Sequence, residues 1–193
     1  MSRGTQVALA AFAWLAGFVF LRRFGTVLPL FAMAVALAAF LAGRESNTRA
    51  RLRPGVKAIG VGLAAGAVQI AATYLLYPLC VRAWPPLAGE VRGLQGLLFH
   101  GQPRLAVAAL VVAMSTAEEI LFRGRLLTSR RSVLPAAIFY AAVHATSGSA
   151  VLVALAFACG LFWGALRQAT GSLWTSIVCH VAWDVAIMVV APL

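Results

Sequence analysis

Apolar runs alternate with short basic ones along the whole chain. Stretches 5–21, 25–42, 58–81, 105–122, 133–145, 150–166 and 173–190 are poor in charge, and Arg or Lys punctuates most of the gaps between them. A membrane-crossing helix needs roughly 20 predominantly apolar residues, with a range of about 17–25. The pattern therefore predicts an all-α fold, a polytopic membrane helix bundle of about seven transmembrane helices, with six to eight as bounds. The helix of 105–122 is expected to run on to about Thr128. The run 5–21 has a poor signal-peptide n-region, holding only Arg3, and a second apolar run follows at once, so it reads as a retained anchor. The longest loop is expected at 82–104, where Trp84-Pro85-Pro86 suits an interfacial turn or re-entrant piece. Two small-residue pairs, Gly62/Gly66 and Gly160/Gly164, permit close helix crossings. Residues 1–193 read as a single integral membrane domain.

Composition agrees: 62% of the 193 residues are hydrophobic and 11% charged, against about 45–50% and 25% in a typical soluble domain. Sixteen Lys and Arg face five acids, for a net charge of +11. The cations fall in short clusters between apolar runs, as they do beside anionic headgroups, which makes the lipid bilayer the expected partner and not nucleic acid. With seven spans, one face receives eleven cations (Arg3, those of 44–57 and 123–131, and Arg167) and the other five. The positive-inside rule then places the N-terminus in the cytoplasm. An Arg/Ala-rich composition points to a bacterial inner membrane. Cys80, Cys159 and Cys179 all lie in apolar segments, which argues for packing and against a disulfide framework. Cys179 precedes His180, but a nucleophilic thiolate needs an electropositive, accessible setting.

Ionisable residues inside spanning helices are costly and rare, so each is a functional candidate. Here they are Glu118, Glu119, Arg123, His144, His180 and Asp184, while Glu45 and Glu90 read as loop charges and His100 as a solvent-exposed loop residue. At about 1.5 Å rise per residue, His180 lies about 10 Å into the last span, His144 about 16 Å along the fifth, and the two Glu about 14–15 Å from the end of the fourth. Residues from three helices can therefore meet at similar depth. Glu118 and Glu119 point about 100° apart and cannot share one role. Glu119 and Arg123 are spaced i,i+4 in the favourable order, which leaves Glu118 to face a cavity; Glu118 also reaches Arg123 at the margin, so the reverse pairing stays open. His180 and Asp184 are again i,i+4, so the carboxylate can fix the imidazole tautomer. An ionised Asp accepts hydrogen bonds only.

These residues form three motifs. Glu118-Glu119-Ile-Leu-Phe-Arg123 resembles the EExxxR motif of the CPBP family, the CAAX-protease and bacteriocin-processing membrane proteins also called Abi. Tyr140-Ala-Ala-Val-His144 resembles its FxxxH motif, with Tyr where Phe is usual. His180-Val-Ala-Trp-Asp184 resembles its HxxxN/D motif, with Asp where the eukaryotic CAAX endopeptidases have Asn. All three occur in order within a catalytic core of about 105–193. The resemblance implies an intramembrane endopeptidase in which Glu118 activates water and His144 helps to position it. His180 and Asp184 would stabilise the oxyanion, or His180 alone with Asp184 orienting it. Glu119, Arg123 and Tyr140 would be supporting residues. The implied substrate is a membrane-anchored protein or peptide, with a prenylated substrate disfavoured for a bacterial chain.

Glu118, His144, His180 and Asp184 are also zinc-compatible ligands. HExxH, the usual zinc-protease spacing, is absent. The expectation is glutamate chemistry with no cofactor, zinc being the competing possibility. Two other classes compete: a non-catalytic binding or immunity protein on the same scaffold, and a proton-coupled transporter. The latter is disfavoured by the lack of an inverted repeat.

Overall fold

In a computed structural model of the chain, residues 3–24, 28–43, 53–99, 101–127 and 129–193 are described. Among them there is no strand, and the fold is a helical bundle, as the apolar pattern requires. Helix α1 (Arg3–Phe24) and α2 (Leu28–Gly43) are followed by α3 (Val56–Ala83) and a short α4 (Pro86–Phe99). Helix α5 (Arg104–Leu126) is α-helical to Glu118 and π-helical from Glu119. Then come α6 (Val133–His144), α7 (Ala150–Thr170) and α8 (Leu173–Val190), whose last turn, from Ala186, is also π-helical.

Four of these helices, α3, α5, α7 and α8, are long and apolar enough to cross a membrane. Helix α2, with 16 residues, and α6, with 12, fall below the usual spanning length. Most of the basic loop 44–57 and His100 lie outside the described residues. The segment 82–104 is not the loop expected: after a break at Trp84-Pro85, Pro86 starts α4. Proline is well suited to a first helical position, where its missing N–H costs nothing. Gly89, Gly93 and Gly96 lower the helical propensity and mask the helix in the sequence. Glu90 consequently sits on α4, where it accepts a hydrogen bond from Ser149 Oγ at 2.8 Å. Ser149 also caps α7 through Leu152 N–H.

Both glycine pairs mark helix crossings. A methyl group on Gly62 would lie 2.8 Å from the Thr175 carbonyl oxygen, so α3 and α8 touch almost backbone to backbone. On α7, Gly160 lies against the Ala137 backbone of α6, and Gly164 against the Val133 side chain of α6. Among the described residues α3 packs mainly through this side, and Val61, Leu63, Val68, Leu75, Leu76 and Leu79 remain exposed as apolar surface suited to lipid. The core lies between α5, α6, α7 and α8, filled by Phe122, Tyr140, Trp163 and Trp183, with Trp14 of α1 closing it.

Candidate active site

The intramembrane polar residues meet inside this core. Glu118 ends the α-helical part of α5, and Glu119 opens its π-helical part; all seven residues 119–125 are buried. A π segment inserts one extra residue per turn, and such segments often occur at functional sites. Glu119 is fully buried, with Oε1 3.2 Å from Arg123 Nη1 and 2.9 Å from His180 Nδ1. Arg123 is held on its other sides by aromatic faces, 4.5 Å from the Tyr140 ring centre and 5.3 Å from that of Trp163. Of the two open pairings, the structure has Glu119 with Arg123.

Glu118 points elsewhere. Its Oε2 accepts a hydrogen bond from the Tyr140 hydroxyl. Its two oxygens lie 3.8 Å from His144 Nε2 and 3.8 Å from His180 Nε2. His144 Nδ1 is 2.8 Å from the Tyr140 carbonyl oxygen. A carbonyl only accepts, so Nδ1 carries the proton and Nε2 is turned toward Glu118. Tyr140 therefore does more than preserve an aromatic wall: relative to Phe it adds a donor to Glu118.

His180 stands between the carboxylates. Its Nδ1 faces Glu119, and its Nε2 is 3.0 Å from Asp184 Oδ2. The carboxylate on Nδ1, which fixes the ring from behind, is thus Glu119 rather than Asp184. Asp184 meets the nitrogen that faces the cavity. The indole of Trp163 stacks on the imidazole at 3.5 Å and 20°, which fixes the ring plane. Trp163 is itself anchored by donating Nε1–H to Gln69 Oε1 on α3 at 2.9 Å. Ser115 donates to Asp184 Oδ2 at 2.6 Å. Glu118, Tyr140, Trp163, His180 and Asp184 all line one cavity of about 120 Å³ that is otherwise mostly apolar.

Ser115, Trp163 and Gln69 were not among the residues expected at the site. Ser115 lies one turn before Glu118, a spacing that offers a weak clue. Trp163 offers none, because tryptophan in an apolar helix is ordinary packing. Cys179 is buried with its thiol against Gln69, and Cys159, buried as well, accepts from Gln69 and forms part of the cavity wall.

As a zinc site the four candidate ligands fit poorly. Ligand atoms on one tetrahedral zinc sit about 3.3 Å apart, whereas Glu118 is 3.8 Å from each imidazole and His180 is engaged by carboxylates at both nitrogens. Among the described residues no three His, Cys, Asp or Glu side chains are grouped so as to hold a metal ion.

Fold and cluster together define a helical membrane protein with a buried carboxylate–histidine centre. Residues 100–186, which carry all three motifs, match the family described as type II CAAX prenyl endopeptidase, Rce1-like. The motif resemblance to CPBP/CAAX intramembrane proteases is thereby borne out. No curated protein and no solved structure matches the chain.

Proposed function

We propose that the chain is an intramembrane endopeptidase that hydrolyses a membrane-associated peptide with glutamate-activated water and without a metal. The observation that carries this reading is Glu118: it faces a cavity large enough for water, with an imidazole nitrogen 3.8 Å from each of its oxygens. Water placed between Glu118 Oε1 and His144 Nε2 meets two acceptors, so its oxygen lone pair is free to attack the carbonyl carbon. Glu118 takes the proton as the C–O bond forms. The resulting oxyanion accepts from His180 Nε2–H, whose ring Glu119 and Trp163 hold in place. One such preorganised donor is worth about 3–4 kcal/mol at a water-poor site. Collapse of the intermediate breaks the C–N bond, and the leaving amine recovers the proton from Glu118. Asp184 accepts from Nε2–H in the resting site and keeps it directed at the cavity. We place the protein in a bacterial inner membrane with its N-terminus inside, on the charge asymmetry of its loops.

The test compares wild type, Glu118→Gln and His180→Ala in membranes given quenched-fluorescent apolar peptides. Both variants are expected to accumulate in the membrane and to lose cleavage. Undiminished cleavage by both sinks the mechanism. Loss of protein level together with phenotype in every variant supports a non-catalytic scaffold instead.

A further inference from the structure

The cavity beside Glu118 is lined by more than the acids and histidines. Past the end of α8, Ala191 accepts a hydrogen bond from the Tyr74 hydroxyl of α3, and Leu193 reaches the same cavity wall as Val91, Leu94 and Gln95 of α4. The Gln95 amide, oriented with its oxygen toward Leu193 N–H, accepts from that N–H at 3.0 Å and donates to the Leu193 backbone oxygen at 3.1 Å. One amide matched to the N–H and the oxygen of a single residue reads main chain and not side chain, as a strand edge does. The neighbouring Val91 and Leu94 supply the apolar wall such a residue needs.

We propose that Gln95 is a backbone clamp for the substrate, and that segment 191–193 occupies it until a substrate peptide displaces it. This rests on the endopeptidase reading and names its substrate class: an extended segment with a leucine-sized apolar residue at the clamped position. A helical segment cannot use the clamp, because its N–H and C=O groups are already bonded to one another. The substrate must therefore be unwound where it meets α4, which is also the form in which a peptide carbonyl becomes open to water.

The probe is acetyl-Val-Ala-Pro-Leu-amide, the chain's own 190–193, titrated into detergent-solubilised protein. Binding is followed by the fluorescence of Trp163 and Trp183, which line the cavity. Deleting 192–193 leaves the Tyr74–Ala191 contact in place and is expected to tighten binding several-fold. In that background Gln95→Ala is expected to weaken it about tenfold, the effect of two neutral hydrogen bonds. A peptide N-methylated at leucine is expected to bind the deletion protein weakly and to show a smaller further loss on Gln95→Ala, because only the bond accepted by Gln95 has gone. Thermal melts of each variant exclude unfolding as the cause. Equal affinity for full-length and deleted chains, together with indifference to Gln95→Ala, overturns the proposal. Because binding needs no turnover, the titration is repeated with Glu118→Gln. Gln95-dependent binding with no cleavage by any protein keeps the clamp and removes the protease; Glu118-dependent cleavage with binding indifferent to Gln95 does the reverse.

Discussion

Replacing Glu119 by Gln should separate the two adjacent acids by what each one loses. Glu119 is fully buried 3.2 Å from Arg123, itself 2% exposed. At that distance, with an effective dielectric of about 20, the attraction is about 5 kcal/mol. Desolvation of both groups offsets much of it in the intact pair. Glu119→Gln, however, leaves the guanidinium buried without a counter-charge, and such removals cost about 3–5 kcal/mol. The aromatic faces of Tyr140 and Trp163 retain part of the cation's stabilisation, up to about 2 kcal/mol, which places the expected loss near the lower end. A loss of about 3 kcal/mol corresponds to a fall in melting temperature of roughly 6–12 °C for a chain of this size.

The assay is thermal unfolding in detergent micelles alongside peptide cleavage. Glu118→Gln, which disturbs one hydrogen bond from Tyr140 and no guanidinium, is expected to melt within a few degrees of wild type while losing cleavage. The double variant Glu119→Gln/Arg123→Met removes both charges and is expected to regain part of the stability lost by the single one. If Glu119→Gln melts like wild type, or the double variant is no more stable than the single, the buried-pair reasoning fails.

Gly62→Ala should lower the melting temperature, by an overpacking cost of about 1–3 kcal/mol, because its methyl group meets the Thr175 carbonyl oxygen at 2.8 Å. Gly60→Ala, two residues away with nothing within 4 Å, should be neutral or stabilising in the same melt. Trp163→Leu removes the face stacked on His180 and should cut kcat about tenfold, as expected for a lost aromatic pair, with KM little changed. Trp163→Phe keeps a ring there and should recover most of the rate in the same cleavage assay. Dialysis against a strong chelator should leave cleavage unchanged; a loss restored by added zinc would refute the metal-free mechanism.

Much of the cluster was legible because its chemistry contradicts its surroundings. Glu118, Glu119, His144, His180 and Asp184 stand in runs where an apolar residue costs less, so each announced itself, and helical spacing favoured Glu119 for Arg123 while leaving Glu118 open. The contacts that set the roles of these residues run between helices and leave no trace in spacing. That Glu119 rather than Asp184 holds His180 Nδ1 depends on how α5 packs on α8. Trp163 is invisible as a partner of His180 because packing and stacking use the same residue type. Helix α4 was missed because three glycines and a double proline read as a loop. The π-helical register after Glu118 was missed as well, because a shift of a single residue does not alter an apolar pattern.

The two neighbouring carboxylates reach the same imidazole, and they differ in what holds them. Glu119 meets a guanidinium and His180 Nδ1. Taking up a proton would break a buried ion pair and strand Arg123, so Glu119 serves as a fixed charge. Glu118 meets a neutral phenol at hydrogen-bond distance, with the two imidazoles 3.8 Å away. A proton on one of its oxygens costs an accepted hydrogen bond and leaves no cation unpartnered. The tyrosine that replaces the usual phenylalanine sharpens this division: it steadies Glu118 with a donor that carries no charge. On the proposed mechanism one acid builds the site and the other is left free to move a proton, the two meeting opposite nitrogens of the His180 ring.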